Sequence, residues 1–335
     1  MSGRMFDSID GHSAAKQTLS RALRDGKTAH AYLFSGPDGV GKKLTAIEFA
    51  KKLNCERGGA DDLCDCPACD RIGRGVHPDV SVFEYPGSSV ITVDNTRGEI
   101  ERRVFLKPFE SKHKIFIVDG AERMNSSAQN AFLKTLEEPP AYSVIILITH
   151  LPSLILPTIR SRCQTVSFGG LDGRVAREKL LEKGELSERE AALAVAVAGG
   201  SPGKALGITP GEAGAMLETI GALARLGPED PAGVFSLVEK VVGKEKTTAG
   251  QRAEAEKFAD WASLWIRDLL RAGAGTGEAA YGELEGASKD FADGRSAASI
   301  ASKAFALEEA VAGVRRGNLN CRLALETFVF KVVEV

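Results

Sequence analysis

A chain of 335 residues with 43 Lys and Arg against 45 Asp and Glu carries a formal net charge of −2. Near-neutrality excludes a protein held on nucleic acid by a global basic field, so any such contact has to come from a local patch or an assembly. The length allows two or three domains with cores of their own.

In chain order, residues 6–26 read as an amphipathic helix with Ala15, Leu19, Ala22 and Leu23 on one side. Residues 31–35 read as a buried strand and 44–53 as a helix. Between them lies Gly36-Pro37-Asp38-Gly39-Val40-Gly41-Lys42-Lys43. The pattern G-x-x-x-x-G-K-[ST] cradles phosphate because glycines let backbone N–H groups converge on the anion. Its lysine reaches the terminal phosphates, and its hydroxyl binds magnesium. Gly36, Gly39, Gly41, Lys42 and Lys43 are therefore candidate nucleotide residues. Lys43 stands where the hydroxyl belongs, and an ammonium cannot coordinate a cation. The expectation is a loop that does not support metal-assisted hydrolysis, whether it is empty or holds intact ATP or ADP.

Cys55, Cys64, Cys66 and Cys69 follow within fifteen residues, separated by Asp and Gly and without a helix or strand pattern to bury them. Such a cluster suits a tetrahedral structural zinc ion, although Cys64-x-Cys66 is one residue tighter than the usual spacing.

Residues 80–84 and 114–119 read as strands, separated by a helix at 94–105 on which Arg97, Arg102 and Arg103 form a solvated face or touch nucleic-acid phosphate. Strands alternating with helices after a phosphate loop predict a parallel, doubly wound sheet. Asp119 ends a buried run, where a nucleotide-binding protein places the acid that holds magnesium; an ordinary turn residue is the alternative. An active hydrolase follows that acid with Glu. Here residue 120 is Gly, and Glu122 is expected to point elsewhere. A helix at 126–137 precedes a strand at 143–149 that brings Thr149 to the nucleotide crevice. Arg162, in a short segment before the strand 164–168, is either a surface ion-pair residue or a guanidinium offered to a neighbouring site.

The longest apolar run, 144–156, is broken by His150 and Pro152 and is too short to span a bilayer. No export leader is visible at the start, so a cytoplasmic location is expected, with the six cysteines reduced or metal-bound.

From Gly170 the strand signals stop and alanine-rich helices take over, at 175–183, 188–198 and from 204 onward. The expected partition is 1–169 with a zinc module at 55–69, a small helical lid at 170–209, and a helical collar at 210–335, with Pro210-Gly211 as the joint. Phe258, Trp261, Leu264, Trp265 and Leu269 repeat at helical spacing, first of all as core. Residues 272–286 are a glycine-rich connection.

Phe6 to Asp10, His30 to Gly36, the cysteine insertion, Asn130 to Pro140 and Ser161-Arg162-Cys163 together resemble the bacterial clamp-loader subunits of the DNA polymerase III holoenzyme, members of the AAA+ group. Lys43, Asp119-Gly120, Gly200 to Leu206 and Asn318 to Glu326 resemble the delta-prime branch more than the gamma/tau motor, whose sensor arginine would align with Gly203. The resemblance implies an α/β AAA+ domain followed by all-α lid and collar. It implies a stationary subunit in a five-membered ring with delta and gamma/tau that acts on a sliding clamp and primed DNA. It further implies Arg162 as an arginine finger presented in trans, and zinc on Cys55, Cys64, Cys66 and Cys69. The competing readings are a degenerate but active gamma/tau-like ATPase and a small-molecule P-loop kinase, for which the helical half offers no acceptor-site signature.

Overall fold

The computed structural model describes residues 5–59, 64–84, 91–93, 100, 102–170, 173–182, 184, 186–198, 201–245, 247–274, 281, 284–315 and 320–334. The chain divides into two compact units, residues 1–176 with 200–204 and residues 177–199 with 205–335.

The first unit is built on five parallel strands, β1 (Ala31–Ser35), β2 (Val80–Phe83), β3 (Lys114–Asp119), β4 (Ser143–Thr149) and β5 (Gln164–Ser167), in the order β2-β3-β4-β1-β5. The register sets Ser35 beside Thr149 and Asp119 beside Ile148, so the carboxyl ends of the central strands share one edge. Strand periodicity divides the core. Tyr32, Phe34, Ile115, Ile117, Ile146 and Ile148 pack with α1 (Ser13–Arg24) and α2 (Lys42–Asn54). Leu33, Phe116, Val118, Ile145 and Leu147 pack on the other face with Phe132 and Leu136. Every residue of β4 is buried, as a doubly covered central strand requires.

The local sequence explains where the expected elements shift. The first helix begins at Ser13, not residue 6, because Phe6 (φ 68°) and His12 (φ 51°) take left-handed backbone that a helix cannot contain. Phe6 is nonetheless fully buried, inserted into the core from a turn. A further short helix, α3 (Pro67–Gly73), forms inside the cysteine insertion, where no helix was expected. Of the helix expected at 94–105, the described part includes α4 (Arg102–Val104); residues 94–99 and 101, with Arg97, lie outside the described residues. Helix α5 (Ser126–Glu137) is started by Asn125, whose side chain accepts the Ala128 N–H, and α6 (Pro157–Arg160) leads into β5.

Helix α7 (Gly173–Glu182) runs from the first unit into the second, and α9 (Pro202–Leu206) likewise spans the division between the two. Among the described residues the elements of the second unit are otherwise all helices: α8 (Glu188–Val197), α10 (Pro210–Arg225), α11 (Pro231–Val242), α12 (Thr248–Ala274), α13 (Glu285–Ala292), α14 (Ala297–Arg315) and α15 (Cys321–Val333). Thr209 and Glu212 form a reciprocal capping box around Pro210, so the expected joint is the start of a helix. Phe258, Trp261, Leu264, Trp265 and Leu269 are all buried in one cluster, which bears out their reading as core.

Candidate nucleotide site, cysteine cluster and exposed arginine

The phosphate loop lies between β1 and α2. Gly39 (φ 71°) and Gly41 (φ 99°) hold left-handed backbone, which lets successive amides face one side. Gly36 N–H donates to the Thr149 carbonyl at 3.3 Å, tying the loop to β4. The segment at 201–204 lies directly on it. Gly203 N–H donates to the Gly39 carbonyl at 2.9 Å, and a Cβ at residue 203 would stand 2.7 Å from that oxygen. An arginine at this position would therefore need the segment to lift from the loop.

Lys42 is only 5% exposed, and its ammonium donates to the carbonyls of Gly36 and Pro37 at 2.7 and 2.5 Å. Burial lowers its pKa, against the pull of Asp38, Asp119 and Glu122. Lys43 is more exposed and pairs with Glu84, the residue after β2. Burial raises the pKa of Asp119; Lys43 is the strongest charge opposing that rise, while Glu84 adds to it. Lys43 thus supplies Asp119 with a fixed positive charge, a service that a hydroxyl-held cation gives in an intact loop.

A cavity of about 590 Å³ opens at the sheet edge, lined by Asp38, Lys42, Asp119, Glu122, Thr149 and His150, among others. It brings together three of the expected residues, Lys42, Asp119 and Thr149. Gly36, Gly39, Gly41 and Lys43 are not part of its wall. Thr149 is buried, and its hydroxyl accepts the Leu151 N–H at 3.1 Å.

Glu122 departs from expectation. Gly120 adopts φ 77° and a 3-10 turn over Ala121–Arg123 follows, so the Glu122 side chain returns to the cavity with 5% of its surface exposed. One oxygen meets His150 Nδ1 at 3.0 Å; the other, Oε2, is buried with no hydrogen-bond partner among the described residues. A left-handed glycine two residues upstream is the sequence signal for such a return, but its φ is visible only in the fold.

The four cysteines converge. Cys55, Cys64, Cys66 and Cys69 place their sulfurs within 4.8 Å of one another, and Cys66 and Cys69 are buried. Zn–S bonds of about 2.3 Å in a tetrahedron require sulfurs about 3.8 Å apart, so the cluster fits one soft divalent ion with small adjustment. The Cys64-x-Cys66 spacing is accommodated because Cys66 is the N-cap of α3 in extended backbone. Burial opposes ionisation of Cys66, yet backbone N–H groups of Cys69 and Glu56 bring its thiol down to about 7. Burial pushes Cys69 upward.

Arg162 stands away from its own phosphate loop in sequence. Its guanidinium donates through Nη2 to Glu137 Oε1 at 2.8 Å and through Nη1 to the Thr158 carbonyl at 3.0 Å. On the same helix as Glu137, buried Gln129 donates to the carbonyls of Met124 and Leu154 and accepts the Leu156 N–H, each at 2.8–3.0 Å. Of the other arginines, Arg102 is exposed and Arg103 lies over the Phe83 ring, 5.9 Å from its centroid.

Comparison with known proteins supplies the context for this site. Residues 11–172 match the family model described as DNA polymerase III, delta subunit. The chain is 39% identical over 178 residues to DNA polymerase III subunit delta' of Pseudomonas aeruginosa, covering 52% of this chain and 54% of that protein. It is 35% identical over 166 residues to subunit delta' of Bacillus subtilis, covering 49% and 50%. To subunit gamma/tau of Mycobacterium tuberculosis it is 34% identical over 247 residues, covering 70% and 42%. The chain thus spans about half the length of these curated relatives. A gamma subunit-related protein of DNA polymerase III from Thermotoga maritima has the same fold, with a TM-score of 0.50 at 19% identity over 94% of this chain and 98% of that one. The chain accordingly shares that protein's fold, an α/β sheet unit followed by helices, and its sequence similarity to DNA polymerase III delta' and gamma/tau subunits includes residues 11–172, just under half of its length.

Proposed function

We propose that the chain is a delta-prime subunit: a non-hydrolysing member of the clamp loader that assembles with gamma/tau and delta in a five-subunit ring. In that ring it helps place a sliding clamp on primed DNA in the cytoplasm. The observation that carries the reading is the pairing of Lys43 with Glu84 beside Asp119, together with Gly120 in the place of the hydrolytic carboxylate. An ammonium there repels magnesium, and the glutamate that does reach the cavity, Glu122, is paired with His150 and does not stand at residue 120; losing a positioned general base costs about 10²–10⁴ in rate. Any ATP or ADP held by Gly36, Gly39, Gly41, Lys42, Asp119 and Thr149 then stays intact.

Arg162 is the arginine finger, offered to ATP bound on the neighbouring motor subunit, where such a group contributes about 10³–10⁵ in rate. Zinc on Cys55, Cys64, Cys66 and Cys69 holds the insertion together, as their mutual distances support. The working partition is 1–169, 170–209 and 210–335, with the last region as the collar; exposed Phe305 and Leu323 suit contact with neighbouring collars. No helix among the described residues is long and apolar enough to cross a membrane.

The test is ATP turnover by the pure chain and by the loader reconstituted with wild-type or Arg162→Ala chain. The expected result is background turnover alone and a loss of at least about 10³ in the arginine-dependent step of the complex. Robust turnover by the isolated chain would instead mark it as a degenerate motor.

A further inference from the structure

We propose that Glu137 is a positioning residue for Arg162: its carboxylate holds the guanidinium ready for a neighbouring phosphate and exchanges it when that phosphate arrives. The inference rests on the reading of Arg162 as a finger. Nothing in the resemblance assigns a role to Glu137, the last residue of α5.

The geometry is a two-point hold. Glu137 Oε1 accepts from Nη2 at 2.8 Å and the Thr158 carbonyl accepts from Nη1 at 3.0 Å, which fixes the plane of the guanidinium. The two helices that carry these anchors are tied to each other by a buried side chain. Near the start of α5, Gln129 donates to the Met124 and Leu154 carbonyls, and it accepts the Leu156 N–H at the entry to α6, the helix that carries Thr158. The first turns of α5 and the entry to α6 are therefore tied together before any ligand is present. An arginine side chain has many rotamers, and ordering it in advance removes part of the entropy cost of meeting a ligand.

The hold is also weak enough to release. The Arg162 side chain is 35% exposed and that of Glu137 50%, so water screens their attraction. A phosphate with more charge, meeting the free edge of the guanidinium, competes with a single carboxylate oxygen. Glu137 thus orders the finger without withholding it.

The experiment is a double-mutant cycle in the loader reconstituted with gamma/tau and delta, reading kcat and KM for ATP. Glu137→Gln should lower kcat about 3- to 10-fold by freeing the rotamers of Arg162, with KM changed less than about twofold. Glu137→Asp should recover part of the loss, and Glu137→Gln added to Arg162→Ala should cost nothing further. Thermal melting of the isolated Glu137→Gln chain should match wild type, separating positioning from folding. If Glu137→Gln leaves kcat unchanged, raises it, or lowers it equally in the Arg162→Ala background, the positioning role is overturned while the finger stands. If Arg162→Ala itself has no effect, the finger reading fails and takes this inference with it.

Discussion

Lys43 and Glu84 form an ion pair beside the carboxylate of Asp119, at the edge of the sheet where the phosphate loop enters its helix. A cation is therefore built into the chain beside the acid that a magnesium-dependent enzyme of this architecture reserves for metal. Exchange of Lys43 for Thr restores the hydroxyl and removes the fixed charge. We expect Lys43→Thr to gain magnesium-dependent binding of ADP or ATP in titration calorimetry, compared in magnesium and in EDTA. Phosphate release should stay at background, because residue 120 is Gly and the Glu122 carboxylate in the cavity is held by His150. A wild-type chain whose affinity already rises with magnesium would contradict this account of Lys43.

The contact between residue 203 and the phosphate loop makes a steric prediction. A Cβ at 203 meets the Gly39 carbonyl at 2.7 Å, and neither backbone can yield cheaply. Gly203→Ala should destabilise the fold by about 1–3 kcal/mol. Gly169→Ala, whose Cβ would meet nothing within 4 Å, is the control and should melt as wild type does. Equal melting temperatures for the two variants would show that the 201–204 segment does not rest on the loop in solution.

Asp79 and His77 should both contribute to acid sensitivity. Burial works to raise the Asp79 pKa, but N–H groups of Phe109, Glu110 and Ser111 at 2.7, 2.9 and 3.0 Å overcome it and hold the carboxyl below its ordinary value. A depressed carboxylate contributes stability that is present above the unfolded value of 3.8 and is lost as pH falls toward the folded one. Burial lowers the pKa of His77, so stability also declines as pH falls below its ordinary 6.5 and the unfolded state takes up the proton first. Asp79→Asn should cost about 2–3 kcal/mol at neutral pH and flatten the stability curve below pH 4 in urea titrations. An unchanged curve would remove Asp79 from this role.

Metal content offers a further check. The purified chain should carry about one zinc per molecule, since four sulfurs saturate a tetrahedral site. Cys69→Ser or a strong chelator should release it and lower the melting temperature. Affinity should weaken as pH falls, because the ligating thiols must lose protons. A metal-free chain whose melting is indifferent to added zinc would leave the cluster as thiols alone.

Much of this molecule was written into local pattern. The five strands follow from short apolar runs between turn signals, with β1, β3 and β4 found at the expected limits, and the phosphate loop from its glycine spacing. The cysteines announced themselves by number, and the family by motifs spread over the first half. Those features depend on neighbours in the chain, and backbone sterics and periodicity carry them directly.

Other features depended on distant partners. No spacing rule links Arg162 to Glu137, which are 25 positions apart, or Lys43 to Glu84, because their meeting is set by where β5 and β2 fall in the sheet order. The first helix lost its first seven expected residues, about two turns, to left-handed backbone at Phe6 and His12, which residues of those types seldom adopt. Glu122 looked displaced in sequence, yet the left-handed turn at Gly120 returned it to the cavity. Composition and spacing thus determined which candidate groups the chain carries; the packing of strands and helices decided which of them face one another.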